Sequence, residues 1–139
     1  MKKQDVLVFL QTVVHAVIAT SSKDGTTEAA FIGLAQTDRF ELIFGTYNTS
    51  RKYKNLRENT RVSFVVTSPD ELVTVQIDGT AYELDDKEKD PYVATYLEKI
   101  PSAKIFSIHP EQSYWKVIPT WMRYTDVRGE KEIIEEFTF

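Results

Sequence analysis

The chain contains no cysteine. That excludes disulfides, a thiolate nucleophile and cysteine-ligated zinc or iron–sulfur centres, and it fits a reducing compartment. Histidine is scarce, with only His15 and His109 present. Neither has an acidic residue at ligand spacing, so they read as a strand-end and a loop residue rather than a metal or catalytic pair. No segment approaches the roughly 20 apolar residues that span a bilayer. Positive charge is not in excess: the formal net charge is −4. This argues against general nucleic-acid binding, which depends on many cations neutralising phosphates. The opening segment MKKQDVLVFLQTVVHAVIAT has the order of a signal peptide. Asp5 and Gln11 interrupt its apolar run and no clear small-residue cleavage site follows, so it reads as folded structure. The expectation is a cytoplasmic protein without membrane or nucleic-acid partners.

Repeats and linkers are also lacking. A length of 139 residues suits one domain with a real core and is short for two. The balance of 42% hydrophobic and 27% charged residues is that of a globular domain. Residues 1–139 are therefore expected to form a single domain.

Along the chain, Lys3 to Val13 predicts an amphipathic helix, with Val6, Leu7, Leu10 and Val14 on or near one face. Val13–Ala19 predicts a first strand, and the turn Ser21–Gly25 ends in an Asp-Gly hairpin signal. Thr27–Ala35 predicts a second strand. Its Ala29, Ala30 and Gly33 either pack against bulky neighbours or admit a close approach by a strand, a subunit or a flat ligand. Phe40–Thr46, Arg61–Val66 and Leu72–Leu84 predict further strands, the last with Gly79 marking a bulge or bend. A charged stretch from Asp85 leads into a helix ending before Pro101, with Tyr92, Val93, Tyr96 and Leu97 on its inner face. Ile105–Ile108, Tyr114–Ile118, Trp121–Val127 and Glu132–Phe139 are the remaining strand candidates. Seven or eight strands joined largely by short turns, with two or three helices, predict a mainly β fold: an antiparallel barrel with helices packed outside.

The most informative stretch is Phe44 to Val66, FGTYNTSRKYKNLRENTRVSFVV. It reads as strand, polar turn, short helix and strand. Ser50 or Thr49 can cap the helix, and the free N–H groups of a helix start favour an anion. Arg51 and Lys52 follow directly, so the turn is a candidate phosphate seat, although a capped surface helix carrying cations needs no ligand. The acidic run Glu83, Asp85, Asp86, Glu88 and Asp90 lacks the glycine and spacing of a calcium loop and reads as a solvated helix start. Tyr114, Trp115, Trp121 and Tyr124 are expected to form one aromatic cluster, in a core or interface or stacked on a cofactor.

Together the opening helix, HAVIATSSKDG, the central block, VTVQIDGTAYEL and YWKVIPTWMRYTD resemble the FMN-binding split-barrel proteins of the pyridoxamine 5′-phosphate oxidase-like superfamily. The resemblance covers nearly the whole chain. It implies an antiparallel split β-barrel with FMN held between two subunits of a homodimer. It also implies that Ser50, Arg51 and Lys52 grip the FMN phosphate, and that Gly45 and Thr46 touch the flavin. On the same ground Gln76 reaches the ring from the long central strand, and Trp121 and Arg123 complete the ring pocket across the dimer. Two departures argue against pyridoxamine phosphate oxidation: strand two reads Glu28-Ala29-Ala30-Phe31 where the oxidase has an arginine, and the C-terminal arginine–histidine substrate motif is absent. The resemblance thus implies an oxidase-related protein.

The expected function is that of an FMN flavoprotein, an oxidoreductase acting on a small molecule or reduced nicotinamide. The alternatives are a non-catalytic flavin-binding electron carrier or sensor, and a cofactor-free or heme-handling dimeric barrel. A deazaflavin would also supply a phosphate and a flat ring. The flavin would carry the redox chemistry, so the sequence singles out no catalytic residue.

Overall fold

The computed structural model describes residues 1–139. Strands β1 (His15–Ser21), β2 (Thr27–Gly33), β3 (Ala35–Gln36), β4 (Leu42–Tyr47), β5 (Arg61–Thr67), β6 (Val73–Glu83), β7 (Gln112–Asp126) and β8 (Ile133–Thr138) form one antiparallel sheet. Its order is β2-β1-β5-β6-β7-β4-β3, and β8 pairs with the far half of β7. The sheet curls into a split half-barrel, as expected. Helices α1 (Lys3–Gln11), α2 (Arg51–Glu58), α3 (Lys89–Lys99) and α4 (Lys104–Ser107) flank it.

Alternation sets the inner face. Val62, Phe64 and Val66 of β5 and Val73, Val75, Ile77 and Ala81 of β6 point into one core with Ile18, Phe44 and Met122. Helix α1 closes that core with Val6, Leu7 and Leu10. The consecutive run Leu42-Ile43-Phe44 is buried throughout because β4 is covered on both sides. Leu42 and Phe44 enter the barrel core, whereas Ile43 meets Tyr96 and Ile100 in a second cluster under α3. Lys99 ties these layers together: its Nζ donates to Leu10 O at 3.0 Å, Leu34 O at 2.8 Å and Gln36 Oε1 at 2.6 Å. Burial pulls its pKa down to about 8.

Several expectations are corrected. Helix α1 ends at Gln11, so Val14 lies outside it and is exposed. Strand β1 starts at His15 rather than Val13. The predicted second strand divides at Leu34, and β3 turns to pair with β4. Strand β4 begins at Leu42, because Phe40 takes φ 64° in the preceding turn. Ile105–Ile108 is no strand. A 3-10 turn at Pro101–Ala103 runs into α4, and no neighbouring strand offers a ladder.

The segments on either side of Pro119 are one 15-residue strand, β7. Asp78 pairs with Trp121 but Gly79 pairs with Pro119, so Thr120 is an extra residue at a bulge. Proline is tolerated there because the ladder is locally interrupted. The extra residue also flips the alternation. Before it Trp115 and Val117 face the core; after it Met122 and Tyr124 do, which turns Trp121 and Arg123 outward. The expected aromatic cluster is therefore divided: Trp115 and Tyr124 enter the barrel core, Tyr114 sits under α3, and Trp121 lies half-buried on the outer face.

Candidate functional site

The turn between β4 and α2 is held from both sides. Asn48 N donates to Glu111 O at 2.8 Å and Thr49 Oγ1 to Glu111 Oε2 at 3.0 Å. Ser113 Oγ donates to Thr46 O at 2.6 Å. Ser50, not Thr49, is the helix cap: its Oγ accepts from Tyr53 N at 3.1 Å and shares a 2.8 Å hydrogen bond with the Thr46 hydroxyl. No turn or cap hydrogen bond engages the N–H groups of Arg51 or Lys52. The opposite side of α2 is anchored through Glu83, which accepts from Tyr53 Oη at 2.9 Å and Arg57 Nη1 at 3.1 Å.

Beside this turn lies a cavity of about 320 Å³ on the outer side of the sheet, between β2, β4 and the α3–α4 segment. Such a volume falls within the range of small-ligand sites. Gly45 and Lys52 line it, together with His15, Phe31, Gln112 and Tyr114. A Cβ at Gly45 would overlap the Gln112 amide and approach Tyr114 Cε1 to 3.1 Å. Glycine thus keeps this wall flat and low. At Gly33 the close approach comes from within the chain, since a Cβ there would lie 2.6 Å from Tyr96 Oη. The Tyr96 phenol stays neutral: burial, aided by the neighbouring Tyr114, pushes it up to about 12. The His15 ring stacks on Phe31, with centroids 4.8 Å apart at 23°, and Phe31 is 71% exposed.

The eight residues predicted for the site fall into two groups. Gly45, Thr46, Ser50, Arg51 and Lys52 come together at the β4–α2 corner, with Thr46 buried on the barrel side and Gly45 on the cavity side. Arg51 is 74% exposed and its Nε donates to Glu28 Oε2 at 3.1 Å. Gln76, Trp121 and Arg123 lie on the outer face of β6 and β7, where Gln76 pairs with Arg123 and Trp121 with Asp78. None of these three lines the cavity. Arg123 Nε sits 3.1 Å from Glu136 Oε1 but off the hydrogen-bond direction, so its N–H is buried without an acceptor.

The sequence reading missed Glu28 as the partner of Arg51, and Phe31, Gln112 and Tyr96 as cavity walls. The small residues of β2 were the available signal for Tyr96. Nothing local in the sequence marks Gln112, which reaches the cavity because β7 pairs with β4 in the register Gly45–Tyr114.

The parts present fit a phosphorylated flat ring. Lys52 and the free N–H groups at the start of α2 stand beside the cavity, and the Gly45 wall with Phe31, His15 and Tyr114 forms the rest of it, while Ser50 and Arg51 line an adjoining depression along α2.

A family model described as pyridoxamine 5′-phosphate oxidase matches residues 3–126. No curated protein matches the chain. Among solved structures, the heme binding protein of Mycobacterium smegmatis aligns with TM-score 0.80 at 19% identity, covering 93% of this chain. The chain spans only 54% of that protein. A pyridoxamine 5′-phosphate oxidase-related, FMN binding protein of Nostoc punctiforme aligns with TM-score 0.75 at 12% identity, covering 100% of this chain and 97% of its own. General Stress Protein 26 of Bacillus anthracis gives 0.74 at 19% identity, with 99% and 98% covered. At such identities these likenesses speak for the fold alone. No helix is long and apolar enough to cross a membrane.

Proposed function

The chain belongs to the pyridoxamine 5′-phosphate oxidase family, and from that premise we propose that it binds FMN and acts as an oxidoreductase on a small molecule or reduced nicotinamide. One observation carries the reading. Lys52, at the start of α2 and next to the Ser50 cap and Arg51, lines the cavity together with Gly45, so a cation and a helix start stand at its edge. A phosphate at the start of α2 would meet the free N–H groups of Arg51 and Lys52, the Arg51 guanidinium and the Lys52 ammonium. The ring would lie beside Gly45, with Phe31 and Tyr114 shielding it from water.

Bound FMN supplies hydride and electron transfer. The chain contributes anchoring, orientation and exclusion of water. The same proposal includes a homodimer. Gln76, Trp121 and Arg123 share the outer face with Phe31 but do not line their own cavity, and on this reading the second copy brings them to the flavin. The exposed Phe31 and Val65 on the same outer face would be covered by that contact. The cysteine-free chain suits work in the cytoplasm.

A second reading is favoured by His15, whose imidazole lines the cavity beside Phe31. An imidazole in an aromatic cavity could hold heme iron, and a structural relative is a heme binding protein. Titration of the apo-protein separates the two. Saturable quenching of FMN fluorescence near one flavin per chain supports the flavin reading. A Soret shift with hemin that disappears in His15→Ala, without any response to FMN or a deazaflavin, replaces it with the heme reading.

A further inference from the structure

We propose that Glu28 is a positioning residue for the phosphate end of the site, fixing the direction of the Arg51 guanidinium; the inference rests on the flavin reading above. Arginine has a planar fork with three nitrogen groups. Glu28 engages only one of them, accepting from Nε at 3.1 Å. No side-chain hydrogen bond engages either Nη. Those two groups form the end that binds two phosphate oxygens at once.

The two partners come from different parts of the fold. Glu28 stands on β2 opposite Thr20, and its side chain is only 16% exposed. Arg51 begins α2 and is 74% exposed. An ion pair with one partner so exposed adds little to stability. It does remove rotational freedom from a long side chain before the ligand arrives, a loss that binding would otherwise have to cover. The carboxylate sits at the Nε edge, so it orients the guanidinium and leaves both Nη groups without a side-chain partner. The negative charge of Glu28 opposes a nearby phosphate, but across solvent this effect is screened by salt.

The test uses the full-length apo-protein, titrated with FMN and with riboflavin, which has the same ring and no phosphate. At about 0.15 M salt, Glu28→Ala is expected to raise the FMN Kd by roughly two- to tenfold, the range for ordering one rotamer-rich side chain. Riboflavin affinity stays at the wild-type value. Glu28→Gln keeps an acceptor for Nε and holds FMN as wild type does. In an Arg51→Ala background, Glu28→Ala has no further effect.

An unchanged or tighter FMN Kd in Glu28→Ala overturns the inference and makes Glu28 a competitor for Arg51 or a bystander. An equal loss of FMN and riboflavin also overturns it, because that pattern reports a disturbed fold. If wild-type protein binds riboflavin and FMN equally, or neither, the flavin-phosphate reading itself fails and the role of Glu28 fails with it.

Discussion

Two regions carry the eight residues that the sequence nominated, and they are built on opposite principles. The β4–α2 corner is local. Five residues within eight positions of one another converge because a strand, a tight turn and a capped helix follow in order. Its backbone is fastened to Glu111 and Ser113 of a neighbouring strand and turn. The outer face of β6 and β7 is non-local. Gln76 and Arg123 meet through sheet register, and a single bulged residue, Thr120, decides which way Trp121 and Arg123 point. On the proposed reading the corner is assembled within one chain, whereas the outer face would act only with something laid against it.

The sharpest contrast sits within β4. Phe44 and Gly45 are neighbours facing opposite sides of the sheet. Phe44 is fully buried and stacks on Trp115 at 6.4 Å, while Gly45 borders the cavity. Phe44→Ala is expected to destabilise the fold by about 3–5 kcal/mol, as for large-to-small changes in a closed core, measured by urea unfolding. A loss below about 1 kcal/mol would mean that the inner wall of β4 is not packed as described.

At the corner, Arg51→Ala should weaken FMN binding by about 1.5–3 kcal/mol, the range for hydrogen bonds to charged groups, and leave the unfolding midpoint nearly unchanged. An unaltered Kd would remove Arg51 from the site. On the outer face, Arg123→Ala is expected to have a smaller effect, about 0.5–1.5 kcal/mol on FMN binding, and only at concentrations where the chain is dimeric. A sedimentation mass of one chain under all conditions would break this half of the comparison, since Arg123 could then reach no flavin.

The smallest expected effect lies where β7 ends. Arg128 donates to Asp126 from both Nε and Nη2, at 3.0 and 2.6 Å. Those bonds hold the Asp126 carboxyl down at about 2, against an ordinary value of 3.8. Because the folded value is depressed, its contribution to stability is full above about 3.8 and is lost as pH falls through about 2. Asp126→Asn should flatten the acid limb of the stability curve in that window and leave FMN binding at neutral pH unchanged. An acid limb identical to wild type would show that the pair adds nothing to folding.

The same division governs what could be read from the sequence. The corner was legible because its signals are short-range: a hydroxyl before two cations, at the end of an apolar strand. The alternation of β5 and β6 was legible for the same reason. The breaks came where neighbours overrule local preference. Ile105-Phe106-Ser107-Ile108 has strand-forming residues, yet no ladder lies beside it and it coils into α4. Pro119 looked like a strand end, but pairing along β6 carries β7 through it by way of a bulge. Glu28 gave no signal as a partner of Arg51, because 23 residues separate them and only the placement of β2 beside α2 joins them.

Amide chemical-shift mapping with FMN tests the central claim most directly, because it reads every region of the chain in one titration. The account predicts saturable shifts at Gly45, Thr46, Arg51 and Lys52. Gln76 and Arg123 should respond as well when the protein is dimeric. Riboflavin should reproduce the shift at Gly45 while sparing Arg51 and Lys52. Shifts confined to residues outside the corner and its cavity, or no saturable shifts at all, would contradict it.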